Sequence, residues 1–70
     1  MKFTRQGNRW TARKSGHDYL IVREMANVYV LFVDGMPHWF QGREDIGYHL
    51  LRYAKSEADR VAEWLPAVNV

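Results

Sequence analysis

Six consecutive apolar residues, Val28-Tyr29-Val30-Leu31-Phe32-Val33, run directly into Asp34-Gly35. An unbroken run of β-branched and aromatic side chains suits a strand buried on both faces. Asp-Gly between apolar runs is a strong signal for a two-residue hairpin turn. The segment therefore predicts an interior strand of a sheet that doubles back on itself. In a chain of 70 residues there is room for a single domain, 1–70, around that strand. A chain this short buries only about 60% of the surface its unfolded form exposes, so the core must be efficient. With no cysteine, neither a disulfide nor a thiolate zinc site can help. Three Trp, four Tyr and three Phe supply the bulk instead.

Turn signals divide the rest of the first forty residues into short extended runs. Gln6-Gly7-Asn8 sets off residues 1–8 as an arm, and Ser15-Gly16 follows the run Arg9–Lys14. Tyr19–Arg23 reads as a strand, with Met25-Ala26-Asn27 as its connection to Val28–Val33. After Asp34-Gly35 the chain returns through Met36-Pro37-His38-Trp39-Phe40-Gln41, where Pro37 cannot donate to a ladder, so a short edge strand is expected. The meander thus occupies 9–41.

Ile46, Leu50, Ala54, Ala58, Val61, Ala62 and Leu65 repeat at spacings of three and four, the stripe of an amphipathic helix over 45–65. Asp45 serves as its N-cap, Pro66 stops it, and 66–70 form a tail. Gly47, on the buried side, would let the helix approach the sheet. Ser56-Glu57-Ala58-Asp59 could restart the helix as a capping box, but the uninterrupted stripe favours one helix. The fold class expected is α+β: an antiparallel three- to four-stranded β-meander with one C-terminal helix packed on one face.

Few groups could converge for catalysis. Ser15 and Ser56 lack a nucleophile-elbow pattern, Glu44-Asp45 reads as charge at a helix N-terminus, and neither a P-loop nor a dinucleotide fingerprint is present. His17, His38 and His49 have no metal-ligand spacing and read as solvated or partner-facing side chains. The chain is expected not to be an enzyme, with no catalytic residues, metal or cofactor. No apolar run approaches the roughly 20 residues of a spanning helix, and Met1–Gln6 has no signal-peptide character, so no membrane association and a cytoplasmic location are expected.

Two surfaces remain as candidates. Residues 1–14 carry Lys2, Arg5, Arg9, Arg13 and Lys14 and no acid, although the chain's net charge is only +2. Interleaved with Phe3 and Trp10, these five make a basic arm suited to an anionic partner such as DNA or RNA. The preferred alternative is that Trp10 points into the core and the charges form a solvated face. The second surface arises because one helix covers one sheet face. Either Val28, Val30 and Phe32, or Tyr29, Leu31 and Val33, must look away from it. Tyr29, Trp39, Phe40 and His38 are the expected protein-binding residues, and the leftover apolar area also permits a homodimer.

Arg9-Trp10-Thr11-Ala12, Tyr19-Leu20-Ile21-Val22, Tyr29–Gly35 and Ala54-Lys55-Ser56-Glu57-Ala58 together resemble, in layout, short phage and prophage accessory proteins, among them anti-CRISPR and other host-takeover inhibitors. That resemblance implies a non-enzymatic inhibitor that binds a host protein or nucleoprotein complex, such as a CRISPR effector, in the host cytoplasm. The net basic charge does not suit the acidic DNA mimics among them. The three-strand-plus-helix layout is also similar to the arm-binding domain of phage integrases, which implies the alternative function: direct DNA or RNA binding by the basic arm and first hairpin.

Overall fold

The computed structural model describes residues 1–38 and 47–68. Five strands, β1 (Thr4–Gln6), β2 (Arg9–Lys14), β3 (His17–Met25), β4 (Val28–Val33) and β5 (Met36–His38), form one antiparallel sheet in which spatial order equals chain order. A single helix, α1 (Leu51–Trp64), packs on one of its faces. The expected α+β meander is therefore present, with one strand more than the three or four anticipated. The addition is β1, inside the stretch expected to be an arm. Thr4-Arg5-Gln6 contains no apolar residue; it is a strand because Gly7-Asn8 folds it back on β2, pairing Arg5 with Trp10.

Each turn expected from sequence is a hairpin connection. At Ser15-Gly16 and Asp34-Gly35 both residues have positive φ, between 51° and 83°, the geometry whose twist matches the flanking strands. Asp tolerates this conformation and Gly adopts it freely, so Asp34-Gly35 turns the chain within two residues. Met25 is the last residue of β3 rather than part of the connection, and a register shift between Arg23 and Met25 accommodates Glu24 as a bulge.

Alternation along the strands sorts the side chains. Trp10, Tyr19, Ile21 and Leu31 point to the helix and form the core with Tyr48, Ala54, Ala58 and Val61. Ala54 and Ala58 are fully buried, and their small size brings α1 close to the sheet. Tyr29 and Val33 pack against this same cluster. Of the two alternate sets of β4, then, Tyr29, Leu31 and Val33 face the helix and Val28, Val30 and Phe32 face away.

The helix is continuous through Lys55-Ser56, as its stripe predicted, but it starts later than expected. Residues 47–50 are not helical: the Tyr48 N–H donates to the Tyr29 carbonyl and the Tyr29 N–H to the Tyr48 carbonyl, both at 2.8 Å. Backbone pairing at the sheet edge has taken Tyr48 out of the helix, although its side chain still enters the core. Gly47 does permit a close approach, from this extended segment rather than from a helix. A β-carbon there would lie 2.9 Å from both the Tyr29 carbonyl oxygen and Val28 Cγ1. The expected N-cap Asp45, and Ile46, fall outside the described residues. At the far end Leu65 turns extended while its N–H still bonds to the Val61 carbonyl, and Pro66 follows.

Two outcomes test this packing by chemical denaturation. Gly47→Ala must displace the Tyr29–Tyr48 pairing and should cost about 1–3 kcal/mol. Among the described residues the buried Tyr19 hydroxyl has no hydrogen-bond partner, so Tyr19→Phe should be neutral or stabilise by up to about 1 kcal/mol, since no bond is lost and a desolvated hydroxyl is removed.

Candidate functional site

The five basic residues expected to act together are separated by the pleat. Arg5 stands opposite Trp10 on the helix side, its guanidinium carbon 5.1 Å from the centre of the indole ring and its Nε–H donating to the Gly7 carbonyl. Arg9 and Arg13 alternate with Trp10 and Ala12 and therefore project from the other face. Lys14, opposite His17, and Lys2 are exposed. Arg13 lies 3.7 Å from Asp18, an exposed pair of small energetic weight. The Met1 amine donates to Asp59 on α1 at 2.7 Å, which fastens the start of the chain to the helix. The basic segment expected to present its charges together is thus a sheet edge with charges on both sides.

Trp10 is a core residue, only 6% exposed, and meets the Tyr29 ring edge-on at 5.8 Å between centroids. It is unavailable for stacking on a base. Phe3 also packs against the core, with the Lys55 ammonium 5.8 Å from its ring centre.

The expected protein-binding set is likewise divided. Trp39 and Phe40 lie outside the described residues. Tyr29 faces the helix, where with Leu50, Leu51, Arg52 and Lys55 it lines an open groove of about 400 Å³ at the start of α1. His38 turns towards α1, its Nε2 3.5 Å from Glu57 Oε1, an oxygen that also accepts from the Arg60 guanidinium. Burial, reinforced by the Glu57 charge, pushes the pKa of the Tyr48 hydroxyl up to about 12.

On the face opposite the helix, cross-strand pairs Leu20–Phe32 and Val22–Val30 form a compact apolar cluster. Val28 lies on the same face of β4, and Pro37 stands beside Phe32 on β5. Val30 is buried at the cluster's centre and Leu20, Val22, Val28 and Phe32 are half-buried. Beyond them on β2 and β1 lie Arg9, Thr11, Arg13, Thr4 and Gln6, all exposed. The face grades from apolar to polar and basic, and among the described residues no helix packs over it.

His17 departs most from expectation. Read as a solvated or partner-facing histidine, it is the only buried polar residue among those described, 8% exposed, and both ring nitrogens are engaged. His49 is exposed and precedes the helix. Among the described residues no cluster of three or more His, Cys, Asp or Glu could hold a metal ion, and no helix is long and apolar enough to cross a membrane.

Stability separates the two readings of β2. Trp10→Ala should cost about 3–5 kcal/mol by denaturation, the range for truncating a large buried aromatic. Arg9→Gln should change stability by no more than about 0.5 kcal/mol, as for an ordinary surface residue. Comparison with known protein families, with curated proteins and with solved structures finds no match to this chain.

Proposed function

We propose that this chain is a non-enzymatic binding protein that engages a host protein or nucleoprotein complex through the face of its sheet opposite α1. Its mode is that of the phage-encoded inhibitors whose layout it resembles, with a CRISPR effector as one such target. The observation that carries the reading is the cluster Leu20, Val22, Val28, Val30 and Phe32 on that face, bordered by Arg9 and Arg13. An apolar centre with an aromatic ring and a rim containing arginine is the composition of a protein-docking surface, where a few buried anchors dominate affinity. Arg9 and Arg13 would steer approach to an acidic or nucleic-acid-loaded partner, raising the association rate more than the final affinity.

Direct nucleic-acid binding is the second reading, favoured by the position of Arg9, Thr11, Arg13 and Gln6 on one continuous face. It draws less support than the first because Trp10 is committed to the core and Arg5 to Trp10. Salt dependence distinguishes the two. Phosphate contact makes log affinity fall linearly with log salt, with a slope near −0.9 per neutralised phosphate on duplex DNA.

The test is capture of the partner by the folded protein and by Phe32→Ser, Val22→Lys and an Arg9→Gln/Arg13→Gln double variant, each checked for an intact melting transition. On the protein-docking reading the first two lose capture and the arginine double variant slows association with little change in dissociation. Binding to a DNA or RNA panel at low salt that disappears only in the arginine double variant would move the assignment to the second reading. A solution mass of twice the monomer, reverting with Phe32→Ser, would assign the face to self-association.

A further inference from the structure

Because the meander alternates its turns between two ends of the sheet, Ser15-Gly16 and Asp34-Gly35 lie at the same end. The chain leaving α1 comes back to that end. There the Val68 N–H donates to the Ser15 carbonyl at 2.9 Å, and Val68 lies so near Gly16 that a β-carbon on the glycine would be 2.7 Å from Val68 Cβ. His17 stands between these three pieces of chain. Its Nδ1 is 2.5 Å from Asp34 Oδ2 and its Nε2 is 2.6 Å from the Pro66 carbonyl oxygen. We propose that His17 is a doubly protonated imidazolium near neutral pH that straps residues 66–68 to the turn end of the sheet, and that its deprotonation releases the strap.

A carbonyl oxygen can only accept, so Nε2 must carry a proton. Asp34 is held as a carboxylate, its other oxygen accepting the Asp18 N–H at 2.9 Å, so Nδ1 must carry a proton as well. A neutral imidazole has one N–H and would set a lone pair against one of these oxygens at close range. The charged ring satisfies both, and charge-assisted hydrogen bonds are about twice as strong as neutral ones.

The surrounding charges act in the same sense. The Asp34 hydrogen bond and then the Pro66 carbonyl raise the His17 pKa; burial opposes them to a lesser extent, and the charges of Asp34 and Asp18 add smaller upward contributions. The His17 hydrogen bond and then the Asp18 N–H lower that of Asp34, helped by the Arg13 charge. Lys14, opposite His17 in register, is the cation nearest in sequence on β2, and Tyr19, on the same face of β3, feels the Asp34 charge. For a pKa raised by folding, the stabilisation is complete below the ordinary 6.5 of histidine and is lost as pH rises through the raised value. For Asp34 it is complete above the ordinary 3.8 and lost as pH falls through the lowered value. The strap is therefore tightest between those two ordinary values and opens on the alkaline side.

The experiment follows the His17 ring nitrogens by NMR in nitrogen-15-labelled protein across a pH titration. In parallel it follows exchange protection of the Val68 amide, corrected for intrinsic exchange. Both ring nitrogens should be protonated at neutral pH, and Val68 protection should be lost in step with His17 deprotonation. Asp34→Asn keeps an oxygen for the Asp18 N–H and tolerates the positive φ, so it should fold. In it, both events should move together to lower pH. His17→Gln should leave whatever protection remains independent of pH. A His17 already largely deprotonated at neutral pH, or Val68 protection that ignores its titration in both the native protein and Asp34→Asn, overturns the proposal.

Discussion

Everything in this fold depends on how closely one helix can sit on one face of a twisted sheet. Ala54 and Ala58 present almost no side chain to β3 and β4, so Tyr19, Ile21 and Leu31 fill the space directly beneath the α1 backbone. Close packing of this kind lets a small chain assemble a core without a disulfide or a metal. It also divides the molecule. The helix faces one side of the sheet, and among the described residues no helix covers the other side of β4, which is apolar on both. The proposed docking face is the remainder left by this arrangement.

Much of that is legible in the amino-acid sequence. The run Val28–Val33, the glycine- or asparagine-containing turns and the stripe from Leu50 to Leu65 each carry their meaning locally, through side-chain period and backbone conformation. Other features are not local. Thr4-Arg5-Gln6 has no strand character of its own and becomes β1 only by pairing with β2. Tyr48 lies between Ile46 and Leu50, within the stripe's first turn, yet its backbone bonds to Tyr29 across the sheet edge instead, which delays the helix to Leu51. Leu50, a member of the stripe, is exposed beside it. In the same way a cluster of charges in sequence is not a cluster in space. Alternation sends Arg9 and Arg13 to one face and Arg5 to the other.

His17 marks the point where local reading of the sequence gives way to topology. A histidine directly after Ser-Gly and an aspartate directly before a glycine are each ordinary turn residues. In a meander, however, the second and fourth hairpins lie at one end, so their residues are neighbours despite a separation of 17 positions. Topology alone brings His17 to Asp34. The third member, Pro66, reads in the sequence only as a helix stop. Its carbonyl, freed from helical bonding by that very role, is available to the ring.

The identity of spatial and chain order in the sheet has a kinetic corollary. No strand waits for a distant partner: each hairpin closes a short loop, so the entropy cost of bringing its strands together is small and met early. Chains dominated by such near-neighbour pairing fold fast for their size. The long-range step that remains is docking α1 across β3 and β4. A ribosome releasing this chain from its N-terminus would supply the strands in their order of assembly, with the helix arriving last to lock a sheet already in register.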